Sequence, residues 1–203
     1  MILNARDLTR PHVFEKKGER TLLLLHGTGA DENDLLRLGT ALSPDASLLS
    51  PRGMVSENGM NRFFERRSDG SFVQASVLQA VDELNDFLLA ATAAYSIEGE
   101  IIGVGFSNGA NTAAALQVIH PDALAGAVMF GSTKPLEVVP EADLAGKRLW
   151  IANGVNDPYA PDSVTAAWVS QLRGMGATVS WLTHPGGHQI SPAHMQEISR
   201  NLT

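Results

Sequence analysis

The chain has 203 residues, 44% apolar and 18% charged, which suits a single globular domain over 1–203 with a sizeable core. Its net charge of -7 speaks against a nucleic-acid partner, since phosphate binding needs a surplus of Lys and Arg on one face. It contains no cysteine, so disulfides, thiolate metal sites and a cysteine nucleophile are excluded.

Residues 1–17 hold no apolar run fit for a signal-peptide core, and no stretch approaches the roughly 18 apolar residues of a membrane span. A cytoplasmic protein without stable membrane association is expected. The first strong element is the buried strand Thr21–Leu25, which runs into Leu25-His26-Gly27-Thr28-Gly29. A carbonyl under nucleophilic attack needs two fixed donors for its oxygen. The glycines on either side let the Thr28 backbone approach a substrate, which makes its N–H a candidate. A phosphate cradle is the weaker reading, because the loop has neither G-K-[ST] nor G-x-G-x-x-G. His26 reads as a residue that orders the loop through hydrogen bonds rather than as a base.

A second strand is expected over 46–50, followed by 51–74, a long segment without clear period. Within it, Asn61-Arg62-Phe63-Phe64-Glu65-Arg66-Arg67 mixes cations with aromatics. This segment is expected to border the pocket, with Phe63 or Phe64 against the acyl group and Arg62 favouring a polar or acidic substrate end. The plainer reading is a solvated, partly packed loop. Residues 77–94 carry Val77, Leu78, Val81, Leu84 and Leu88 at helical spacing, with Asp and Glu opposite.

The apolar run 101–105 leads into Gly105-Phe106-Ser107-Asn108-Gly109 and then the Ala-rich helix Asn108–Ile119. G-x-S-x-G alone is a weak signal, but a strand, a tight turn with Ser at its apex and a helix form the context the motif requires. Side chains at either glycine would collide with neighbouring segments. The turn sets Ser107 at a helix N-terminus, where free N–H groups face developing negative charge, and the N–H of Asn108 is the second candidate donor. The plainer role for Ser107 is a helix cap.

Strands follow at 124–130, 148–152 and 178–182, alternating with helices over 162–172 and from Ser191 through Ile198, with Pro192 at the first turn. Such alternation reads as an α/β fold with a mostly parallel sheet. Asp157 lies in the loop after 148–152, at a strand's C-terminal end where α/β sheets place their sites. Asp122 and Asp143 precede strands, and Asp162 reads as a helix N-cap. His188 lies beyond Gly186-Gly187, free to turn back towards Ser107. His184 reads as structural and His194 as a surface residue of the last helix, while His12 and His120 precede the acid. Between 131 and 147 the chain holds Pro135, Pro140, Glu137, Glu141 and Asp143, too short and too polar for an amphipathic lid.

These stretches together resemble the phospholipase/carboxylesterase group of small α/β-hydrolases, which includes acyl-protein thioesterases. The likeness is greatest to bacterial carboxylesterases associated with hydroquinone resistance. It is carried by Leu25-His26-Gly27-Thr28-Gly29-Ala30-Asp31-Glu32, Ser50-Pro51-Arg52-Gly53, Asn61-Arg62-Phe63-Phe64, Gly105-Phe106-Ser107-Asn108-Gly109-Ala110-Asn111, Gly154 with Asp157, and Gly187-His188-Gln189-Ile190. The family's Asp-x-x-Val-Pro appears as Asp157-Pro158-Tyr159-Ala160-Pro161, with only the apolar residue changed.

The resemblance implies an α/β-hydrolase fold, a triad of Ser107, Asp157 and His188, oxyanion donors at Thr28 and Asn108, and no metal or organic cofactor; from the 131–147 stretch, no lid domain is expected. The expected activity is hydrolysis of small, short-acyl carboxylic esters, rising with pH as the base loses its proton. A thioesterase or lysophospholipase would use the same triad, and a non-catalytic small-molecule binder is the reading of another class. The expected partner is a small ester, and the sequence leaves room for a homodimer.

Overall fold

The computed structural model describes residues 8–202, so part of the N-terminal reading over 1–17 lies outside them. In chain order the elements are β1 (His12–Glu15), β2 (Thr21–Leu25), α1 (Leu36–Leu42), β3 (Ser47–Pro51), β4 (Val55–Glu57), β5 (Met60–Arg62), α2 (Gln74–Tyr95), β6 (Ile101–Phe106) and α3 (Asn108–Ile119). Then come β7 (Gly126–Phe130), β8 (Arg148–Gly154), α4 (Asp162–Gly174), β9 (Thr178–His184) and α5 (Pro192–Leu202).

Seven strands form one sheet in the order β1-β3-β2-β6-β7-β8-β9, parallel except for β1, which pairs antiparallel with β3 at the edge. The period-2 rule divides its side chains between two cores. Leu23, Leu25, Met129, Leu149 and Ile151 face α2, α3 and α4. Leu22, Leu24, Val104, Val128, Phe130 and Trp150 face α1 and α5. Both faces are therefore covered, which is why these strands read as unbroken apolar runs. Each large aliphatic side chain fully withdrawn from water contributes roughly 1.5–3 kcal/mol. Small residues let α3 lie close against the sheet, with Asn108 through Val118 buried on every face.

The register positions the site. Leu25 pairs with Gly105, Phe106 with Phe130, Phe130 with Ala152, and Gly154 with His184. The C-terminal ends of β2, β6, β7, β8 and β9 thus finish side by side, and the loops beyond them form one rim. Between β7 and β8 no helix forms, in keeping with the absence of a lid.

Three features lie outside the sequence-based expectations. β1 is too short and too evenly half-buried to carry a period. α1 is only seven residues long. The segment 51–74 contains the β4–β5 hairpin, closed by Asn58 (φ 52°) and Gly59 (φ 80°). An Asn-Gly pair with both φ positive makes the tight turn that matches strand twist, so this hairpin did have a sequence signal. Two assignments need correction. The N-cap of α4 is Pro161, and Asp162 is the first helical residue, its carboxylate set in the positive end of the helix dipole. His194 is buried, not on the surface, and its Nε2 bonds the Thr183 carbonyl at 3.0 Å.

Candidate active site

Ser107 sits at the junction of β6 and α3 with φ 54° and ψ -114°, a strained conformation for a residue with a side chain. The glycines make the turn feasible. A Cβ on Gly105 would lie 2.5 Å from the Gly109 backbone, and one on Gly109 would lie 2.0 Å from the Leu25 carbonyl oxygen. The Ser107 N–H donates to Phe130 O at 2.9 Å. Its carbonyl accepts from the Asn111 side chain at 3.0 Å, while Asn111 Oδ1 accepts the Thr133 N–H at 2.9 Å. The strained residue is thus held from both sides, and its hydroxyl makes no helix-capping bond.

That hydroxyl instead donates to His188 Nε2 at 2.8 Å, and His188 Nδ1–H donates to Asp157 Oδ2 at 2.7 Å. A carboxylate can only accept, so it fixes the proton on Nδ1 and leaves Nε2 as the acceptor for the serine. The other oxygen, Asp157 Oδ1, accepts the Tyr159 N–H at 2.9 Å, which satisfies the buried carboxylate on both sides. Gly154 lets the two loops meet, since a Cβ there would lie 2.3 Å from the carbonyls of Gly186 and Gly187. Gly131, with φ 64°, leaves room for the imidazole, because a Cβ would stand 2.7 Å from His188 Cε1. His184 uses its ring on Gln189 O and the Gly186 N–H, shaping the loop that carries His188. Of the other acids, Asp143 accepts the Ala145 N–H in a local turn.

Thr28 and Asn108 line the same cleft as Ser107, and among the described residues neither backbone N–H donates to another protein group. Two devices hold these donors. His26 Nε2 accepts the Gly53 N–H at 2.9 Å, so its Nδ1–H donates to Gly27 O at 2.7 Å. Burial holds this imidazole below its ordinary pKa, in the neutral form that can both give and accept. The second device is the strand leaving the hairpin. Asn61 O accepts the Gly29 N–H and Asn61 Nδ2 donates to Ala30 O, both at 2.9 Å. Two residues on, the Phe63 N–H donates to Asn108 Oδ1 at 2.7 Å. One short stretch therefore ties both candidate donors together. Asn61 belongs to a stretch that carries the family resemblance, but no role of its own was expected for it; its place beside the Asn-Gly turn is the further signal.

The cleft has a volume of about 1090 Å³. Its walls include Thr28, Phe106, Ser107, Asn108, Leu136, Tyr159 and His188, and on one side Arg62, Arg66, Asp69, Phe72 and Gln74 from the 51–74 segment. That segment borders the pocket, but through other residues than those expected. Phe63 and Phe64 are 4% and 0% exposed, belong to the core beside α2 and α3, and do not line the cleft. Beyond the end of β5 the chain bends, both aromatic side chains turn into the interior, and Phe72 takes the wall position. Arg62 does line the cleft, but at 2% exposure its Nη1 is engaged by Glu57 at 2.8 Å and its Nε by Phe64 O. Burial, and then the charge of nearby Arg66, press its pKa below the usual arginine value. Among the described residues no cluster of three His, Asp or Glu side chains converges as metal ligands would.

Residues 12–203 match the family model described as Phospholipase/Carboxylesterase. MhqD of Bacillus subtilis (strain 168) is 41% identical over 191 residues, covering 93% of this chain and 95% of that protein. The crystal structure of a Bacillus cereus carboxylesterase superposes with a TM-score of 0.92 at 37% identity, covering 96% of this chain and 94% of that one. A carboxylesterase from Mesorhizobium loti gives 0.90 at 30% identity, with 97% and 95% covered.

Proposed function

The chain belongs to the phospholipase/carboxylesterase family and is an esterase-type hydrolase, and from that premise we propose a serine carboxylesterase that cleaves small, short-acyl esters through an acyl-enzyme on Ser107. The hydrogen-bonded chain from Ser107 Oγ through His188 to Asp157 carries this reading. His188 Nε2 takes the serine proton as Oγ attacks the acyl carbon. The carbonyl oxygen becomes an oxyanion, which the N–H groups of Thr28 and Asn108 receive, and the Asn108 donor gains from the dipole of α3. Asp157 stabilises the imidazolium formed. His188 then gives its proton to the departing alkoxide, the alcohol leaves, and the same imidazole activates water to release the acid.

The stretch between β7 and β8 supports a small, soluble ester over a lipid aggregate. No helix stands between β7 and β8 to act as an interfacial lid. A fluorophosphonate probe tests the reading: it should label the wild-type chain and leave Ser107→Ala unlabelled, with the thermal unfolding of the two proteins alike. Labelling that survives the substitution would remove Ser107 from the mechanism.

A further inference from the structure

Arg62 and Arg66 stand close enough in the cleft wall for the charge of Arg66 to act on Arg62. Among the described residues only one carboxylate, Glu57, forms an ion pair with either of them, and it serves Arg62. Asp69, Asp34 and Glu137 also line the cleft, yet none is in ion-pair contact with Arg66. Asp69 is occupied by the Ser71 N–H and hydroxyl, at 2.9 and 2.7 Å, and it feels the charge of Arg67 instead. The cleft wall thus holds two guanidiniums and one partner. The unmatched one is partly exposed to the cleft.

Its position is defined. Arg66 Cζ lies 5.9 Å from the centre of the Tyr159 ring, within cation–π range. Tyr159 in turn stands edge-on to His188, with ring centres 5.0 Å apart. The direction matters chemically. If His188 protonates the departing oxygen, the alcohol half of an ester must lie on the His188 side of Ser107. Tyr159 and Arg66 are then neighbours of the alcohol half, not of the acyl half.

We propose that Arg66 is a substrate-binding residue that selects esters whose alcohol portion carries a carboxylate, with Tyr159 holding the guanidinium in place. The proposal rests on the serine-esterase reading above. Arg62 is matched by Glu57 and does not make the contact. Guanidinium binds carboxylate through paired N–H donors, a geometry an ammonium does not reproduce.

The test compares the acetate esters of para- and meta-hydroxybenzoate with those of the matching hydroxybenzamides, which have the same shape without the charge. Nitrophenyl hemisuccinate, set against nitrophenyl butyrate, carries the charge on the acyl side. Arg66→Gln should lower kcat/KM about tenfold on a carboxylate-bearing acetate, the scale of one charged hydrogen bond. It should leave the benzamide acetates and the hemisuccinate within about twofold, and Arg66→Lys should recover part of the loss. The wild-type preference should also shrink as salt rises. Equal losses on charged and neutral acetates, or no loss on either, would overturn the proposal. A loss confined to the hemisuccinate would overturn the assignment to the alcohol side. Turnover of the neutral acetates keeps the esterase reading standing in each of these cases, whereas a wild-type protein that cleaves no ester sinks both.

Discussion

Two parts of the rim were built under different rules. The loops after β2, β6, β7, β8 and β9 follow strands directly, and glycines allow close approach of backbone or side chain at Gly105, Gly109, Gly131 and Gly154. The segment 51–74 crosses the rim from the side, with a hairpin of its own and a return into α2. In the first region Ser107 and His188 line the cleft and meet one another, with Asp157 buried behind the imidazole. In the second, the side chains that looked most like substrate contacts are committed elsewhere. Phe63 and Phe64 fill the core, Arg62 is paired, and the segment serves the site largely through the Asn61 carbonyl and the Phe63 N–H. Residue type announces chemistry where the backbone is fixed by neighbours on both sides. Where a segment must also close a core, the same residue types are used for packing.

The sharpest way to break this contrast is to remove side chains from each region in turn. In the first, Ser107→Ala or His188→Ala should cut ester turnover by several orders of magnitude and leave thermal stability near wild type, whereas His184→Ala, which loses only contacts that shape the His188 loop, should not abolish it. An inactive His184 variant beside an active His188 variant would move the base. In the second, Phe64→Ala should destabilise the fold by about 3–5 kcal/mol in denaturant unfolding, as expected for a buried aromatic. Whatever folded fraction remains should keep its acyl-chain preference. A stable Phe64→Ala protein with altered chain-length preference would return Phe64 to the pocket wall.

A smaller effect is expected at the junction of the two regions. Asn61→Ala removes the bond to Ala30 O but leaves the backbone contact with Gly29. Turnover should fall about tenfold with KM little changed, the sign of a misplaced oxyanion donor rather than of lost binding. A rise in KM at constant kcat would instead put Asn61 in contact with substrate.

The smallest effect should be one of pH. His26 is held below its ordinary value of 6.5 because burial disfavours the cation, and Nε2 is needed to accept from Gly53. The unfolded chain then binds the proton more readily than the folded one. Stability from this group is full above pH 6.5 and declines as pH falls below it towards the folded value. The pH dependence of Tm below 6.5 should be weaker in His26→Gln than in wild type. Nuclear magnetic resonance should find the native imidazole still neutral somewhat below 6.5, and titration at or above that value would contradict the account.

The sequence made the parallel sheet legible because its strands are buried on both faces and read as continuous apolar runs. β1 is half-exposed and four residues long, and α1 is short, so neither leaves a period to find. The strand–turn–helix carrying Ser107 was legible because steric demand forces glycine at two fixed offsets. His188 was legible by its place beyond Gly186-Gly187, ahead of the last helix. The Phe63 and Phe64 roles were not, since an aromatic pair facing a core and one facing a pocket have the same composition. Asn61 and Arg66 depend on which neighbours a hairpin brings within reach, and that is a property of register, not of residue type.

The account turns on a covalent bond between the acyl group and Ser107 Oγ. Nitrophenyl acetate mixed rapidly with enzyme and quenched in acid within the first turnover traps whatever intermediate has formed, and peptide mass mapping locates the acetyl group. The account predicts acetyl on the peptide containing Gly105-Phe106-Ser107-Asn108-Gly109, a matching burst of nitrophenol, and neither in Ser107→Ala. Full hydrolysis with no acetyl on that serine, or an acetyl group on another residue that turns over as fast as the enzyme, would contradict it.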